Sequence, residues 1–202
     1  MRFSIIMPSF LGSYKNAASN RPAKLERAIQ SVLGQTFTDY ELIIIADGCE
    51  LTVEIAAPYF YEHLPKIRIL EIPKQKTWAG AVRNAGISKA QGDIITYLDI
   101  DDRLGENHLQ IINDNFGDCD WVYYNDINGK TLKENDTRLE PGFCGTSTFS
   151  HKRSLNAYWV SDNYLHDLVM IRTLLEFKNY RKIPTPEYFV MHLPHPNTPY
   201  DV

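Results

Sequence analysis

The sequence predicts an α/β fold with a mostly parallel central sheet flanked by helices. Apolar strand patterns alternate with helical patterns through the first half of the chain, as crossover connections between parallel strands require. Glycine and proline residues mark the ends of several of these elements. The chain has 202 residues, of which 44% are apolar and 12% aromatic, so we expect one domain with a substantial core.

Strands and helices alternate strictly over residues 1–104. The expected strands are 3–7, 41–46, 67–72 and 93–98, and the expected helices are 24–33, 51–63 and 78–90. One face of the first helix carries the apolar residues Leu25, Ala28, Ile29, Val32 and Leu33. Gly34 ends that helix, and Pro65 and Pro73 bound the third strand. This order of elements is typical of nucleotide-binding folds.

The second half, residues 105–202, has a different pattern. Helices are expected at 105–116 and 165–177, where Leu, Met and Ile recur at core spacing. The segments 121–126 and 131 onward predict a hairpin with Asn128-Gly129 at its turn. The tail from residue 183 is rich in proline, which predicts no regular structure there; these prolines are Pro184, Pro186, Pro194, Pro196 and Pro199.

Composition excludes several classes of protein. The net charge is -4 and the pI about 5.9, and no run of Lys or Arg builds a basic face, so nucleic acid is an unexpected partner. Cys49, Cys119 and Cys144 form no Cys-x-x-Cys pair, which indicates a reducing cytosol rather than a disulfide framework or a zinc knuckle. The sequence shows no signal peptide or transmembrane segment. We therefore expect a soluble cytoplasmic protein that can visit a membrane surface.

Three carboxylates follow the fourth predicted strand directly: Asp99, Asp101 and Asp102. Carboxylates crowded at the exit of a buried strand repel one another unless a cation or a positive group of a ligand lies between them. The arrangement therefore predicts a hard metal ion that holds a diphosphate. A second Asp-x-Asp, Asp118-Cys-Asp120, precedes a strand, whereas ligands of open α/β sheets collect at strand exits, so we assign it no chemistry.

Five segments resemble a known family in unbroken order: 4–9, 27–37, 41–48, 83–86 and 97–102. Together they are similar to the family 2 glycosyltransferases, which have the GT-A fold. The resemblance covers about residues 3–104, with weaker correspondence near 145–192. It implies a single GT-A domain in which 1–104 binds the nucleotide sugar and 105–202 binds the acceptor. It also implies inverting transfer, with Mn²⁺ or Mg²⁺, from a nucleoside diphosphate sugar, usually a UDP-sugar. The acceptor is then a glycan, a lipid-linked glycan or another hydroxyl compound.

The resemblance assigns the donor-binding residues Pro8, Ser9, Asp47, Arg83 and Asp99. Ser9, after Pro8, approaches the nucleoside, and Asp47 contacts the base, where a carboxylate can accept the imide N–H of uracil. Arg83 meets the diphosphate and Asp99 the ribose. Two alternatives from the residues alone are a plain turn at Asp47 and a surface ion pair at Arg83. The family more often has two acids in a row where this chain has Ala46-Asp47.

The metal ligands implied are Asp101, then Asp102, and His192 after the last strand, with His195 as the second choice. The implied catalytic base is Asp167, near a helix N-terminus, where the family usually has a Glu-Asp pair and this chain has His166-Asp167. In the alternative, Asp162 caps that helix and Asp167 is a solvated helix residue.

Two other functions stay open at this stage. A catalytically inactive module that binds nucleotide sugars would keep the fold and lose the chemistry. A nucleotidyltransferase is less favoured, because the segment 8–12 lacks a Gly-rich, basic loop. The segment 11–24 is longer than usual for the family and carries Lys15, Arg21 and Lys24. These cations either meet the donor phosphates or an acidic acceptor, or belong to a solvated, mobile loop.

Overall fold

The computed structural model describes residues 3–13, 20–76, 78–160 and 166–191. In chain order its elements are β1 (Phe3–Ser9), α1 (Arg21–Leu33), β2 (Tyr40–Asp47), α2 (Glu50–Glu62), β3 (Ile67–Ile72), α3 (Gly80–Ile87), β4 (Ile94–Tyr97), β5 (Arg103–Leu104), α4 (His108–Phe116), β6 (Trp121–Tyr123), β7 (Asp126–Asn128), β8 (Glu134–Asn135), β9 (Phe149–Lys152), α5 (His166–Leu174), β10 (Tyr180–Lys182) and β11 (Tyr188–Val190). Short 3₁₀ turns precede and follow β9.

A seven-stranded sheet in the order β10-β6-β9-β4-β1-β2-β3 forms the centre of the molecule. The four strands from the first half, β1 to β4, pair in parallel, so their carboxyl ends lie along one edge of the sheet. The strand β9 is antiparallel to both β4 and β6. The expected mostly parallel α/β sheet is therefore confirmed.

Apolar residues cover both faces of this sheet. Successive residues of one strand alternate between two buried clusters, so that Ile5 packs on one face and Ile6 on the other. Residues Leu25 and Ile29 of α1 belong to the first cluster, and Trp121 belongs to the second. Burial on both faces explains why β2 reads as an almost continuous apolar run in the sequence.

A second, four-stranded sheet has the order β5-β11-β7-β8. The strand β11 is antiparallel to β5 and parallel to β7, and β7 and β8 form an antiparallel hairpin. Because β5 follows the Asp99–Asp102 segment and β11 lies near the end of the described chain, this sheet joins the two halves beside the strand exits.

The first half matches the prediction closely. The third strand, Ile67–Ile72, has the expected bounds, and the other first-half elements begin or end within a few residues of the expected positions. The helix α1 begins at Arg21, so Arg21 and Lys24 are helical and not part of a loop. Lys24 is 5% exposed, which contradicts a solvated position for this residue, whereas Lys15 lies outside the described residues.

Two predictions for the second half are wrong. The segment 121–126 is not one strand: β6 belongs to the seven-stranded sheet and β7 to the four-stranded sheet. The N–H of Tyr124 donates to the carbonyl of Thr148 at 2.9 Å, which continues the pairing of β6 with β9, and β7 begins two residues later at Asp126. The tail from 183 also contains a strand, β11, because Tyr188–Val190 is an apolar run with no proline inside it. The hairpin turn at Asn128 is confirmed, with the short β8 as its second strand.

No helix in the described ranges is long and apolar enough to cross a lipid bilayer.

Candidate active site

The exits of the parallel strands surround a cavity of about 540 Å³, here called the strand-end cavity. It is lined by residues that include Pro8, Ser9, Phe10, Arg21, Asp47, Lys74, Trp78, Arg83, Asp99 and Asp101. All five residues assigned to the donor therefore border one cavity. This convergence follows from the parallel pairing of β1, β2 and β4, which brings their carboxyl ends to the same edge.

Ser9 ends β1 and is almost fully buried, with 1% of its surface exposed. Its hydroxyl shares a 2.9 Å hydrogen bond with the hydroxyl of Thr52 on α2. That bond fixes the strand exit against the helix beside it, so Pro8 and Ser9 present a rigid wall to the strand-end cavity.

Asp47, at the exit of β2, is buried and makes two short hydrogen bonds. Its Oδ1 accepts the backbone N–H of Gln75 at 2.6 Å, and its Oδ2 accepts Nζ of Lys74 at 2.6 Å. Gly48 has a φ of +58°, and a Cβ atom there would lie 2.6 Å from Cβ of Lys74, so glycine allows this close approach. Asp47 therefore anchors the segment after β3 while it lines the cavity.

Arg83 on α3 is 3% exposed and points its guanidinium at the acidic strand exit. Its Nη2 donates to Oδ1 of Asp99 at 2.7 Å, and the guanidinium carbon lies 4.6 Å from the ring centroid of Trp159. Its Nε and Nη1 have no hydrogen-bond partner within the described parts of the chain. Buried N–H groups without partners are costly, so this site favours an anionic ligand that accepts them. The alternative of a surface ion pair does not fit a side chain this buried.

The acidic segment after β4 is held by protein contacts. Nη2 of Arg27 donates to the carbonyl of Asp101 at 2.7 Å. Asp102 is buried: its Oδ1 accepts the N–H of Met191 at 2.7 Å and its Oδ2 accepts the hydroxyl of Tyr188 at 3.1 Å. The Tyr188 hydroxyl also accepts the N–H of Asp99 at 3.2 Å. Burial, and then the charge of Asp102, raise the pKa of Tyr188 well above its ordinary value, so this hydroxyl keeps its proton.

No three His, Cys, Asp or Glu side chains lie together as metal ligands within residues 3–13, 20–76, 78–160 and 166–191. Mg²⁺ and Mn²⁺ beside a diphosphate usually take only one or two carboxylates, and water and phosphate oxygens complete the shell. Asp101 lines the strand-end cavity and suits that partial role. Asp102 borders the neighbouring cleft with both oxygens already bonded, and His192 and His195 lie outside the described residues.

A second cavity of about 630 Å³, here called the hairpin cleft, adjoins the first at Asp99, which lines both. The β7–β8 hairpin and the segment 142–148 border the cleft, and Asp167 lies in its wall. The other ionisable residues of its lining are Asp102, Asp126, Glu134, Asp136, Arg138 and Cys144. The lining is thus mostly acidic. A hydrogen bond from Asn125 lowers the pKa of Glu134, so this carboxylate is ionised at neutral pH.

Asp167 lies in the first turn of α5 and is half-buried. Its Oδ1 accepts the hydroxyl of Thr146 at 2.8 Å. A fully solvated helix residue, the alternative for Asp167, does not fit this burial and contact, and Asp162 lies outside the described residues. The helix therefore presents Asp167 to the hairpin cleft.

His166 is buried between two indole rings and does not appear in the lining of either cavity. Its ring lies 5.5 Å from that of Trp159 and stacks at 6.3 Å on that of Trp78. Burial, opposed in part by the charge of Asp167, lowers its pKa, so we expect a neutral imidazole near pH 7. The departure from Glu to His therefore affects the packing beneath Asp167 rather than the cleft surface.

Three residues of the site were not predicted. Lys74 follows the exit of β3, so the rule that ligands of open α/β sheets collect at strand exits could have indicated it. Tyr188 and Thr146 carry no sequence signal, because each acts through a contact with a carboxylate distant in the chain.

The chain matches the family model described as Glycosyl transferase family 2 over residues 4–176. It is 32% identical over 130 residues to an uncharacterised glycosyltransferase of Haemophilus influenzae, covering 58% of this chain and 48% of that protein. It is also 25% identical over 186 residues to the GalNAc(5)-diNAcBac-PP-undecaprenol β-1,3-glucosyltransferase of Campylobacter jejuni, covering 90% of this chain and 55% of that protein. The chain thus spans about half the length of these curated relatives.

Two solved structures have a similar fold. Staphylococcus aureus TarS 1-349 in complex with UDP-GlcNAc aligns with a TM-score of 0.71 at 16% identity, covering 94% of this chain and 58% of that one. The mannosyltransferase PcManGT from Pyrobaculum calidifontis, in complex with GDP-Man and Mn²⁺, aligns with a TM-score of 0.75 at 13% identity, covering 98% and 58%. At such identities the likeness establishes the fold alone, and it confirms the expected GT-A architecture.

Proposed function

The chain belongs to glycosyl transferase family 2, and on that premise we propose that it transfers a sugar, with inversion, from a nucleoside diphosphate donor to a hydroxyl acceptor. One observation carries the proposal. Asp99 borders both cavities, with the unpartnered N–H groups of buried Arg83 on one side and the carboxylate of Asp167 in the wall of the other. Donor and acceptor sites that meet at one residue are what transfer between two bound molecules requires.

The strand-end cavity is the proposed donor site. The unpartnered N–H groups on Nε and Nη1 of Arg83 suit the oxygens of a diphosphate, and Arg21 adds positive charge to the same wall. Pro8 and Ser9 support the nucleoside, and Asp99, held by Arg83, lies where the ribose is expected. The carboxylate of Asp47 can accept an imide N–H from uracil and from guanine alike.

We favour uracil as the base that Asp47 contacts. Each carboxylate oxygen has two lone pairs, so the bonds from Lys74 and Gln75 leave acceptor capacity on Asp47. The solved relatives differ here, since TarS was crystallised with UDP-GlcNAc and the mannosyltransferase with GDP-Man. UDP and GDP are therefore the two nucleotides that a binding experiment must compare.

Asp101 is the proposed carboxylate ligand of a divalent cation, Mn²⁺ or Mg²⁺, that is shared with the donor diphosphate. When bound, the cation supplies positive charge that offsets the negative charge growing on the leaving diphosphate. Asp102 and His192 remain proposed second ligands. The contacts from Tyr188 and Met191 make Asp102 better suited to hold the acidic segment in place.

In the proposed reaction, Asp167 accepts the proton of the acceptor hydroxyl while the hydroxyl oxygen attacks the anomeric carbon of the donor sugar. The bond from that carbon to the diphosphate oxygen breaks on the opposite face, and its electron pair leaves with the diphosphate. The configuration at the anomeric carbon is therefore inverted. Arg83 donates hydrogen bonds to the diphosphate and stabilises the charge that develops there.

The hairpin cleft is the proposed acceptor site. Its carboxylates Glu134 and Asp136 can accept hydrogen bonds from sugar hydroxyls. Phe143 is 44% exposed, with the guanidinium of Arg138 3.8 Å from its ring centroid, and its remaining apolar surface can contact a sugar ring. The acidic lining favours an uncharged acceptor end over a phosphorylated one. A free glycan and the outer sugar of a lipid-linked glycan both satisfy this condition. The expectation of a cytoplasmic protein that reaches a membrane surface stays a prediction.

Nucleotide-dependent thermal stabilisation and turnover test the proposal together. We expect UDP with Mn²⁺ to raise the unfolding temperature more than GDP or CDP with Mn²⁺ does, because a ligand stabilises by its affinity for the folded state. We then expect slow release of UDP from UDP-glucose or UDP-GlcNAc, with water as the acceptor. Asp101→Ala should abolish this release, whereas Asp114→Ala, which removes an exposed acid on α4, should retain it.

Two outcomes would contradict the proposal. If no nucleotide changed the unfolding temperature, the strand-end cavity would not be a donor site. Stabilisation by UDP without any turnover, with or without glycoside acceptors, would favour the catalytically inactive nucleotide-sugar-binding module instead.

A further inference from the structure

Thr146 makes the contact that fixes the carboxylate of Asp167. Thr146 is 6% exposed, and its hydroxyl donates to Oδ1 of Asp167 at 2.8 Å. The second oxygen, Oδ2, accepts no hydrogen bond from the part of the chain that the structure describes. Thr146 thus occupies one oxygen of the carboxylate and leaves the other available at the wall of the hairpin cleft.

The turn that carries Thr146 is held rigidly. The hydroxyl of Thr148 donates to the carbonyl of Gly145 at 2.8 Å and accepts the N–H of Gly145 at 3.2 Å. Ser147, which follows Thr146 in the chain, donates its hydroxyl to Oδ2 of Asp126. The other oxygen of Asp126, Oδ1, accepts a hydrogen bond from Nδ2 of Asn135 at 2.7 Å. Two neighbours in the turn therefore bind on opposite sides, Ser147 to the β7–β8 hairpin and Thr146 to Asp167.

The positive charge of Arg83 also acts on the carboxylate of Asp167. Arg83 interacts electrostatically with both Asp99 and Asp167, and its Nε and Nη1 lack partners in the described chain. A half-buried Asp side chain has several staggered rotamers available. Attraction to the guanidinium favours rotamers that turn the carboxylate of Asp167 towards Arg83, and the hydrogen bond from Thr146 opposes them.

Resting on the function proposed above, we propose that Thr146 is a positioning residue that holds Asp167 towards the acceptor and away from Arg83. The 145–148 turn then links the hairpin of the acceptor site to the catalytic base. An acceptor that contacts the hairpin would meet a carboxylate already aligned for proton transfer. Alignment of this kind lowers the barrier because the reacting groups need no further ordering in the transition state.

The test compares Thr146→Val, which keeps the shape of the side chain and removes the hydroxyl, with Thr146→Ser, which keeps the hydroxyl. The assay is UDP release from UDP-glucose with Mn²⁺, with water or a neutral p-nitrophenyl glycoside as the acceptor. We expect Thr146→Val to lower kcat roughly 10- to 100-fold, the effect of losing one hydrogen bond to a charged group. KM for the donor should change less than about threefold, and Thr146→Ser should recover most of kcat.

A matched control makes the same Thr→Val change on α5, the helix that carries Asp167. Thr173 on α5 donates its hydroxyl to the carbonyl of Val169 at 3.1 Å, away from the cleft, so Thr173→Val should keep the kcat of the unaltered protein. Equal loss of kcat in Thr146→Val, Thr146→Ser and Thr173→Val would overturn the proposal, as would an unchanged kcat in Thr146→Val.

The outcome also separates this inference from the proposed function. If Asp167→Asn loses turnover and Thr146→Val does not, the base assignment stands and the positioning role of Thr146 is wrong. If Asp167→Asn keeps full turnover, the assignment of the base is wrong and the role of Thr146 falls with it.

Discussion

The strands that end at the strand-end cavity are four to eight residues long and pair in parallel, whereas those beside the hairpin cleft are two or three residues long and pair mostly in antiparallel fashion. The strand-end cavity thus lies at the edge of a sheet that is covered by apolar residues on both faces. The cleft side is held by polar contacts between short segments, such as the Ser147–Asp126 and Thr146–Asp167 bonds. Under the proposed function, the donor site lies on a buried scaffold and the acceptor site lies between short segments, so the two sites can change independently.

The buried histidines are also distributed unequally between the two halves of the chain. Within the described residues, the buried histidines are His108, His151 and His166, and all three lie in the second half. Burial lowers the pKa of His108 to about 3 and that of His151 to about 4, so both imidazoles are neutral in the folded protein at ordinary pH. Within the described residues, the imidazoles that burial keeps neutral therefore lie in the second half.

The largest effect is expected for Asp167→Asn, which should slow the proposed reaction without weakening the binding of UDP. Asp167→Asn keeps the size of the side chain and removes the base, so we expect kcat for sugar transfer to fall roughly 10²- to 10⁴-fold. The dissociation constant for UDP with Mn²⁺ should stay within about twofold, because Asp167 lines the hairpin cleft and not the strand-end cavity. Calorimetric titration with UDP and steady-state kinetics measure the two quantities. A parallel loss of UDP affinity would mean that the two cavities are not separate sites.

The second effect tests the donor side. Arg83→Lys keeps the positive charge but removes the paired N–H groups of the guanidinium, so we expect UDP binding to weaken roughly 10- to 100-fold. The matched control is Arg68→Lys, whose guanidinium pairs with Glu41 at 2.9 Å at the opposite end of the sheet. Calorimetric titration should show unchanged UDP binding in this control. Equal weakening in both variants would show that Arg83 acts on stability rather than on the diphosphate.

The third effect concerns acid sensitivity. A histidine that stays neutral when folded but titrates near pH 6.5 when unfolded lets the unfolded chain bind more protons below that pH, so stability falls as pH drops from 7 towards 4. Between pH 7 and pH 5 each such imidazole should remove on the order of 2 kcal/mol from the free energy of unfolding. Urea unfolding at the two pH values measures the loss.

Two variants assign that loss to the second half. His151→Gln should reduce the difference between pH 7 and pH 5, whereas His63→Gln, a change at a partly exposed side chain of the first half, should leave it unchanged. Hydrogen exchange at pH 5, corrected for its intrinsic rate, should show β6 and β9 opening before β1 and β2. Exchange that rises equally in all four strands would remove the proposed difference between the halves.

The same difference decides what the sequence could predict. The strand Ile67–Ile72 was predicted with its correct bounds because Pro65 and Pro73, which interrupt regular strands, lie on either side of it. The residues Pro8, Ser9, Asp47 and Asp99 were assigned to one site by the family resemblance, and they line one cavity because the parallel strands that carry them end at the same edge of the sheet.

The sequence contains no comparable signal for the short strands and contacts around the hairpin cleft. The sequence does not indicate that Tyr124 separates two strands of different sheets, because short strands are defined by their partners and not by their own composition. Tyr188 is 86 residues from Asp102, and Thr146 is 21 residues from Asp167. Such contacts form only when the whole chain folds, so neither residue type nor spacing reveals them.

The smallest expected effect lies where the two halves meet. The hydroxyl of Tyr188 on β11 donates to Asp102 and accepts the N–H of Asp99, so Tyr188→Phe leaves two groups of the acidic segment without that partner. We expect a loss of about 1 kcal/mol in stability, or roughly 2–4 °C in Tm. The control Tyr124→Phe removes another buried hydroxyl, bonded to Ser150 at 2.9 Å and absent from the lining of either cavity. Both variants should lose similar stability, but only Tyr188→Phe should weaken binding of UDP with Mn²⁺, by a few-fold. If the two variants bind UDP equally well, then β11 supports the fold without setting the geometry of the acidic segment, and the donor site belongs to the first half alone.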